Sequence, residues 1–124
     1  PADPNHRVLT ENLQRLRGMR DAAGRELEIV EVEQPRPQFD TEGRRLALSY
    51  VNFYMANEAI IMPAFEDGPQ DKRAFDIMAR LFPKREVLQF PAVELACGGG
   101  GIHSICLPQP AGQAAAPGSS GKVA

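Results

Sequence analysis

Apolar residues recur at helical spacing near the start of the chain, at Val8, Leu9, Leu13, Leu16 and Met19, with Asn12 on the same face. Arg7, Glu11, Gln14, Arg15 and Arg17 fill the opposite face, so the pattern predicts an amphipathic helix over Pro4–Arg20. Asp3-Pro4 supplies its start and Asp21-Ala22-Ala23-Gly24 its stop. Leu27, Ile29 and Val32 then stand among glutamates, which predicts over Glu26–Glu33 a strand with one wet face or an edge strand. Gln34–Arg45 has the prolines, glycine and arginines of an exposed loop. The most apolar stretch, Leu46–Phe65, predicts two strands, Leu46–Ala56 and Ala59–Ala64, turning at Asn57-Glu58. Glu66–Gln70 reads as a loop. Phe75, Met78, Ala79 and Phe82 mark a second helix over Asp71–Phe82, stopped by Pro83. Val87, Leu88 and Phe90 form a short strand ended at Pro91, and Val93–Ala96 a single helical turn. Gly98–Gly101 break regular structure before a last apolar segment, Ile102–Leu107, read as a strand.

The fold class is therefore α/β, and Leu46–Pro91 is a ββαβ module. Near-continuous apolarity in its strands implies burial on both faces. One such module cannot cover both faces of its own strands, so either the chain self-associates as a homo-oligomer or further modules pack against it. From Pro108 large apolar residues nearly vanish, and Ala111–Ala124 is expected to be a disordered tail behind a folded part spanning 3–110.

With 124 residues there is room for one small domain or part of a larger one. A hydrophobic fraction of 43% and a net charge of −2 fit a folding chain and give no electrostatic case for nucleic acid or an anionic membrane as partner. The longest apolar stretches are broken too soon for a membrane span or signal peptide, which makes the cytoplasm the expected compartment. Cys97 and Cys106 are too few for a disulfide scaffold and lack the partners of a structural zinc site, so no metal is expected. The start at Pro1 rather than Met suits a fragment.

The strongest chemical signal is the run Cys97-Gly98-Gly99-Gly100-Gly101-Ile102-His103-Ser104-Ile105-Cys106. Four glycines suit a close backbone approach or positive φ, but equally a flexible loop beside a tail. No Lys-Ser or Lys-Thr pair follows, which excludes a phosphate loop. This run, together with LALSYVNFYMANEAIIMPAF, ARLFPKREV and the opening DPNHRVLTENLQRL, resembles the C-terminal portion of the agmatine deiminases. That family includes bacterial peptidyl-arginine deiminases and belongs to the wider guanidino-modifying enzymes.

The resemblance implies a ring of five ββαβ modules around a central site, here incomplete. It implies hydrolysis of agmatine to N-carbamoylputrescine and ammonia, a step toward putrescine, by a cysteine thiolate that attacks the guanidino carbon. No cofactor is implied, and the expected partner is a small guanidine. The family motif resembles GGGNIHCIT, so Ser104 occupies the nucleophile position, Gly101 the Asn position and Cys106 the Thr position. A serine hydroxyl does not ionise appreciably at neutral pH, so the exchange should cost most of the activity. Cys106 is the alternative nucleophile: in a strand it shares the face of Ser104 but sits roughly 7 Å away, so a bulge or shifted strand would have to bring it forward, and otherwise it is a free buried thiol. His103 would then point to the opposite face as a structural residue, and His6 to solvent.

Gly99, Gly100, Gly101 and Asn52 are the expected substrate contacts; Asn52 is a polar residue in an apolar strand and must find a hydrogen-bond partner if buried. Glu58, Glu94 and the arginines at 15, 17, 20, 44 and 45 are read as solvated. The family's catalytic histidine and guanidinium-binding acids match no segment of this chain, so the 124 residues alone are expected to be inactive. Competing readings are an inactive module kept for binding or oligomerisation, and a related guanidino enzyme such as a peptidyl-arginine deiminase or an amidinotransferase.

Overall fold

The computed structural model describes residues 3–109, so the tail expected at Ala111–Ala124 lies outside the described residues. The chain divides into two compact units, Pro1–Glu33 and Gln34–Ala124. In the first, helix α1 runs over His6–Arg17, shorter than the periodicity suggests at both ends. Asp3 ends up ahead of the helix, where its Oδ1 accepts the Asn5 N–H at 2.8 Å. At the other end the Gly18 N–H donates to the Arg15 carbonyl and the Met19 N–H to that of Leu16, each at 3.1 Å. Asp21–Gly24 is thus not the helix stop but a separate hairpin turn.

That turn occurs twice. In Asp21-Ala22-Ala23-Gly24-Arg25 and Asp40-Thr41-Glu42-Gly43-Arg44 the aspartate Oδ1 accepts the N–H groups two and four residues on, each at 2.9 Å. Its Oδ2 accepts the arginine Nε at 2.7 Å, and the glycine has φ +77°. Each turn is clasped by one antiparallel pair, Arg20 with Glu26 and Phe39 with Arg45. The hydrogen bonds hold both carboxyls below their ordinary pKa, at Asp21 chiefly through the Arg25 backbone N–H and at Asp40 chiefly through the Arg44 side chain. The strand expected over Glu26–Glu33 does not form, because beyond the bridge at Glu26 this segment has no ladder partner among the described residues.

The second unit contains the expected ββαβ module: β1 (Tyr54–Met55), β2 (Ala59–Ala64), α2 (Gly68–Leu81) and β3 (Glu86–Pro91). Strand β2 lies between the other two, antiparallel to β1 and parallel to β3, with Ile60 opposite Val87 and Met62 opposite Gln89. Ile60 and Met62 have no exposed surface, and with Phe65, Ala74, Met78 and Tyr50 they form the core. Helix α2 begins three residues before the predicted Asp71, since Pro69 in its first turn lacks only an N–H that would be unpaired there anyway. Asp71 reaches back to accept the N–H of Asp67, the residue that opens the helix, at 3.1 Å.

The strand expected over Leu46–Ala56 shrinks to β1. Leu46, Leu48 and Tyr50 are buried alternately, as in a strand, but Leu48 bonds back to Leu46 and Asn52 bonds back to Ser49. Leu46 donates its N–H to the Gln38 carbonyl beside the Phe39–Arg45 pair, but from Ala47 to Phe53 the backbone has no ladder partner among the described residues and makes local turns instead. Beyond β3 come a short helix α3 (Val93–Cys97) and the glycine run, as the breaks predict. The final strand does not form: His103–Ile105 is one turn of 3₁₀ helix. No helix among the described residues is long and apolar enough to cross a membrane.

Candidate active site

Every glycine N–H in the run is already paired. Gly98 donates to Glu94, Gly99 to Ala96 and Gly100 to Leu95, all carbonyls of α3. The Gly100–Leu95 and Gly99–Ala96 bonds with Gly99 at φ +83° are a Schellman closure, which needs a residue tolerant of the left-handed region. Gly101 donates to the Ser104 Oγ at 3.2 Å. The run therefore ends a helix and presents Ser104, and its amides are not a free cradle for substrate.

The 3₁₀ turn changes which side chains meet. With three residues per turn, neighbours in sequence splay around the axis rather than alternating between two faces. His103 and Ser104 both line one open cleft of about 350 Å³, together with Ser49, Val51 and Asn52. The expectation that His103 faces away is overturned, and so is the shared face of Ser104 and Cys106. Cys106 is half-buried and does not line the cleft. The His103 ring stands 6.3 Å from that of Tyr54. Sequence reasoning missed that His103 and Ser49 line this cleft, because their place depends on turns that the apolar pattern reads as strand.

The upstream wall is the Ser49–Asn52 turn, held from below. Tyr50, 2% exposed, packs its ring 5.3 Å from that of Phe65 and donates its hydroxyl to Asp71 Oδ1 at 2.7 Å. Burial and then the Asp71 carboxylate push the Tyr50 pKa well above its ordinary value. Asp71 also accepts the Phe65 N–H at 2.9 Å. Asp67, 3% exposed, accepts the Arg36 N–H at 2.9 Å and lies 3.2 Å from its guanidinium. These acids are engaged by Tyr50, Phe65, Asp67 and Arg36 and do not line the cleft, whose lining residues carry no carboxylate.

Asn52 finds its partner inside the chain: its Oδ1 accepts the His103 N–H at 2.8 Å. Of the expected site residues, Ser104, Asn52 and Gly101 come together, whereas Gly99 and Gly100 serve the end of α3. Glu58, Glu94 and His6 are exposed, as read. Arg17, Arg20 and Arg44 are ion-paired on the surface, while Arg45 is half-buried. Among the described residues no group of three or more His, Cys, Asp or Glu side chains is placed to hold a metal ion.

Known proteins share this fold. The agmatine deiminase of Enterococcus faecalis superposes with a TM-score of 0.75 at 28% identity, over 83% of this chain and 32% of that one. A Cys-to-Ser form of C. jejuni agmatine deiminase with substrate bound gives 0.64 at 26% identity, over 82% and 27%. The α/β fold is thus that of the guanidine deiminases. A Legionella pneumophila (strain Paris) protein, named provisionally as an agmatine deiminase, is 45% identical over 108 residues, 87% of this chain and 31% of its own. The Porphyromonas-type peptidyl-arginine deiminase family matches residues 1–110, and the chain belongs to it. It spans about a third of the length of the relatives it matches.

Proposed function

We propose that this chain is the part of an agmatine deiminase that carries the nucleophile position, at Ser104, within a ring of five ββαβ modules to which it contributes one. The observation that supports this is Ser104 lining the cleft just after a glycine-capped helix end, in a chain of this family. In the complete reaction a thiolate at this position adds to the guanidino carbon of agmatine, and the C–N bond to the leaving ammonia breaks. Water then cleaves the amidino–sulfur bond to give N-carbamoylputrescine. A hydroxyl at position 104 receives one N–H, from Gly101, and has no base beside it other than His103 among the cleft residues. One such donor stabilises a thiolate usefully but leaves an alkoxide far from neutral pH.

A second reading, an inactive module kept for binding or association, is favoured by that same hydroxyl and by the lack of a carboxylate in the cleft lining. A related agmatine deiminase with serine in place of one cysteine is known with its substrate bound, so a Cys-to-Ser exchange in such an enzyme is compatible with holding substrate.

The test is agmatine hydrolysis, followed as ureido product, by the 124-residue chain and by a form extended to the relatives' full length. The short chain should give no turnover above the buffer blank. In the extended form Ser104→Cys should raise the rate by on the order of 10³-fold or more, the scale of losses on removing a nucleophile. No gain there, with activity lost on alkylation of Cys106, would move the role to Cys106; no activity in any form would leave the inactive module.

A further inference from the structure

A glycine at position 101 is not needed for its backbone conformation, because its φ is not positive. What it leaves open is space. A Cβ built there would lie 2.5 Å from Asn52 Nδ2, 2.6 Å from Cγ and 2.9 Å from Oδ1, so the Asn52 carboxamide fills the volume that a side chain at 101 would take. The same carboxamide accepts the His103 N–H at 2.8 Å. That N–H opens the 3₁₀ turn and has no partner within it, since the intrahelical bonds begin with Ser104 N–H to Gly101 and Ile105 N–H to Ile102. Asn52 thus caps the turn from 51 residues upstream.

We infer that Asn52 and Gly101 form one lock, in which the missing side chain at 101 admits the carboxamide that fixes the backbone before Ser104. Asn52 is then a positioning residue and not a substrate contact. The chain of cause is short: Asn52 holds His103, the held turn brings the Ser104 Oγ within 3.2 Å of the Gly101 N–H, and that donor orients the atom at the nucleophile position. The lock stands on this geometry; its catalytic meaning rests on the deiminase reading.

The direct test is residue-resolved amide exchange on the full chain. Asn52→Ala should speed exchange of the His103 amide about tenfold, the effect of losing one hydrogen bond. Asn52→Asp, which keeps an acceptor oxygen, should restore protection. Gly101→Ala should expose the same amide by evicting the carboxamide, and the double substitution should be no worse than either single one. Amides of β2 and β3 serve as the control for general unfolding.

A second readout follows the atom being positioned. In a Ser104→Cys background, the pH midpoint for iodoacetamide alkylation at position 104, read by peptide mass spectrometry, should rise with Asn52→Ala and equally with Gly101→Ala. Both remove the fixed N–H that favours the thiolate. Unchanged His103 protection in Asn52→Ala, or strictly additive effects of the two substitutions, would overturn the lock. A lock that passes in a chain whose full-length form turns over no guanidine would count against the deiminase reading alone.

Discussion

Asp71 links the core of the module to the cleft, and replacing it by alanine has a calculable cost. Three donors converge on its carboxylate: the Tyr50 hydroxyl at 2.7 Å, the Phe65 N–H at 2.9 Å and the Asp67 N–H at 3.1 Å. Tyr50, Phe65 and Asp67 are all buried, so water cannot freely replace the lost acceptor. At about 1 kcal/mol for each bond, Asp71→Ala should cost about 3 kcal/mol. Tyr50→Phe removes one of the three and should cost about 1 kcal/mol, but close to nothing in the Asp71→Ala background. Urea unfolding followed by circular dichroism gives both numbers and their coupling. Should Asp71→Ala cost less than about 0.5 kcal/mol, or should Tyr50→Phe cost the same in both backgrounds, the convergence on Asp71 is not what holds the Ser49–Asn52 turn.

Because burial and Asp71 raise the Tyr50 pKa, the folded chain keeps that proton at pH values where the unfolded chain loses it. The contribution is fully present below the unfolded value near 10 and declines above it, by at most about 1.4 kcal/mol per pH unit, so unfolding free energy against pH should fall less steeply in Tyr50→Phe. Gly99 meets no neighbour within 4 Å but sits at φ +83°, so Gly99→Ala should destabilise by about 1 kcal/mol and Gly99→Asn by less, again by urea unfolding.

The apolar pattern made the ββαβ module legible because its elements bury side chains in regular periods. The six residues of β2, Ala59–Ala64, are those the sequence marks, and Ile60 and Met62 are its most buried. Where regular burial is not matched by a pairing partner, the same pattern misleads. Leu46, Leu48 and Tyr50 alternate as in a strand, yet the backbone turns at Tyr50 and Val51. The Ile102–Leu107 error has the same origin and a larger consequence, since it placed His103 and Cys106 on the wrong sides of Ser104. The turn is legible only through Asn52, whose partner lies 51 residues away, and no local pattern carries that distance. The repeated Asp-x-x-Gly-Arg turns were open to sequence reading, as both carry the carboxylate, the glycine and the arginine at identical spacing.

The charge balance of the cleft limits what this chain can do with a guanidinium. Its lining offers two hydroxyls, a carboxamide, an imidazole and Val51, but no anion. Asp71 is engaged by three donors, and Asp67 is paired with Arg36, so neither is free to turn toward a ligand without breaking those bonds. A carboxylate about 4 Å from a guanidinium supplies about 4 kcal/mol at an effective dielectric of 20, comparable to the whole free energy of a millimolar complex. Without it, agmatine should bind the 124-residue chain more weakly than about 1 mM by calorimetry. Binding should tighten sharply only in a form extended by the rest of the relatives' length, which on the proposed ring brings the acids of other modules to the guanidinium. Submillimolar binding by the short chain, abolished by Ser104→Ala, would mean that hydroxyls and the imidazole suffice and that the missing modules are not the source of the counter-charge.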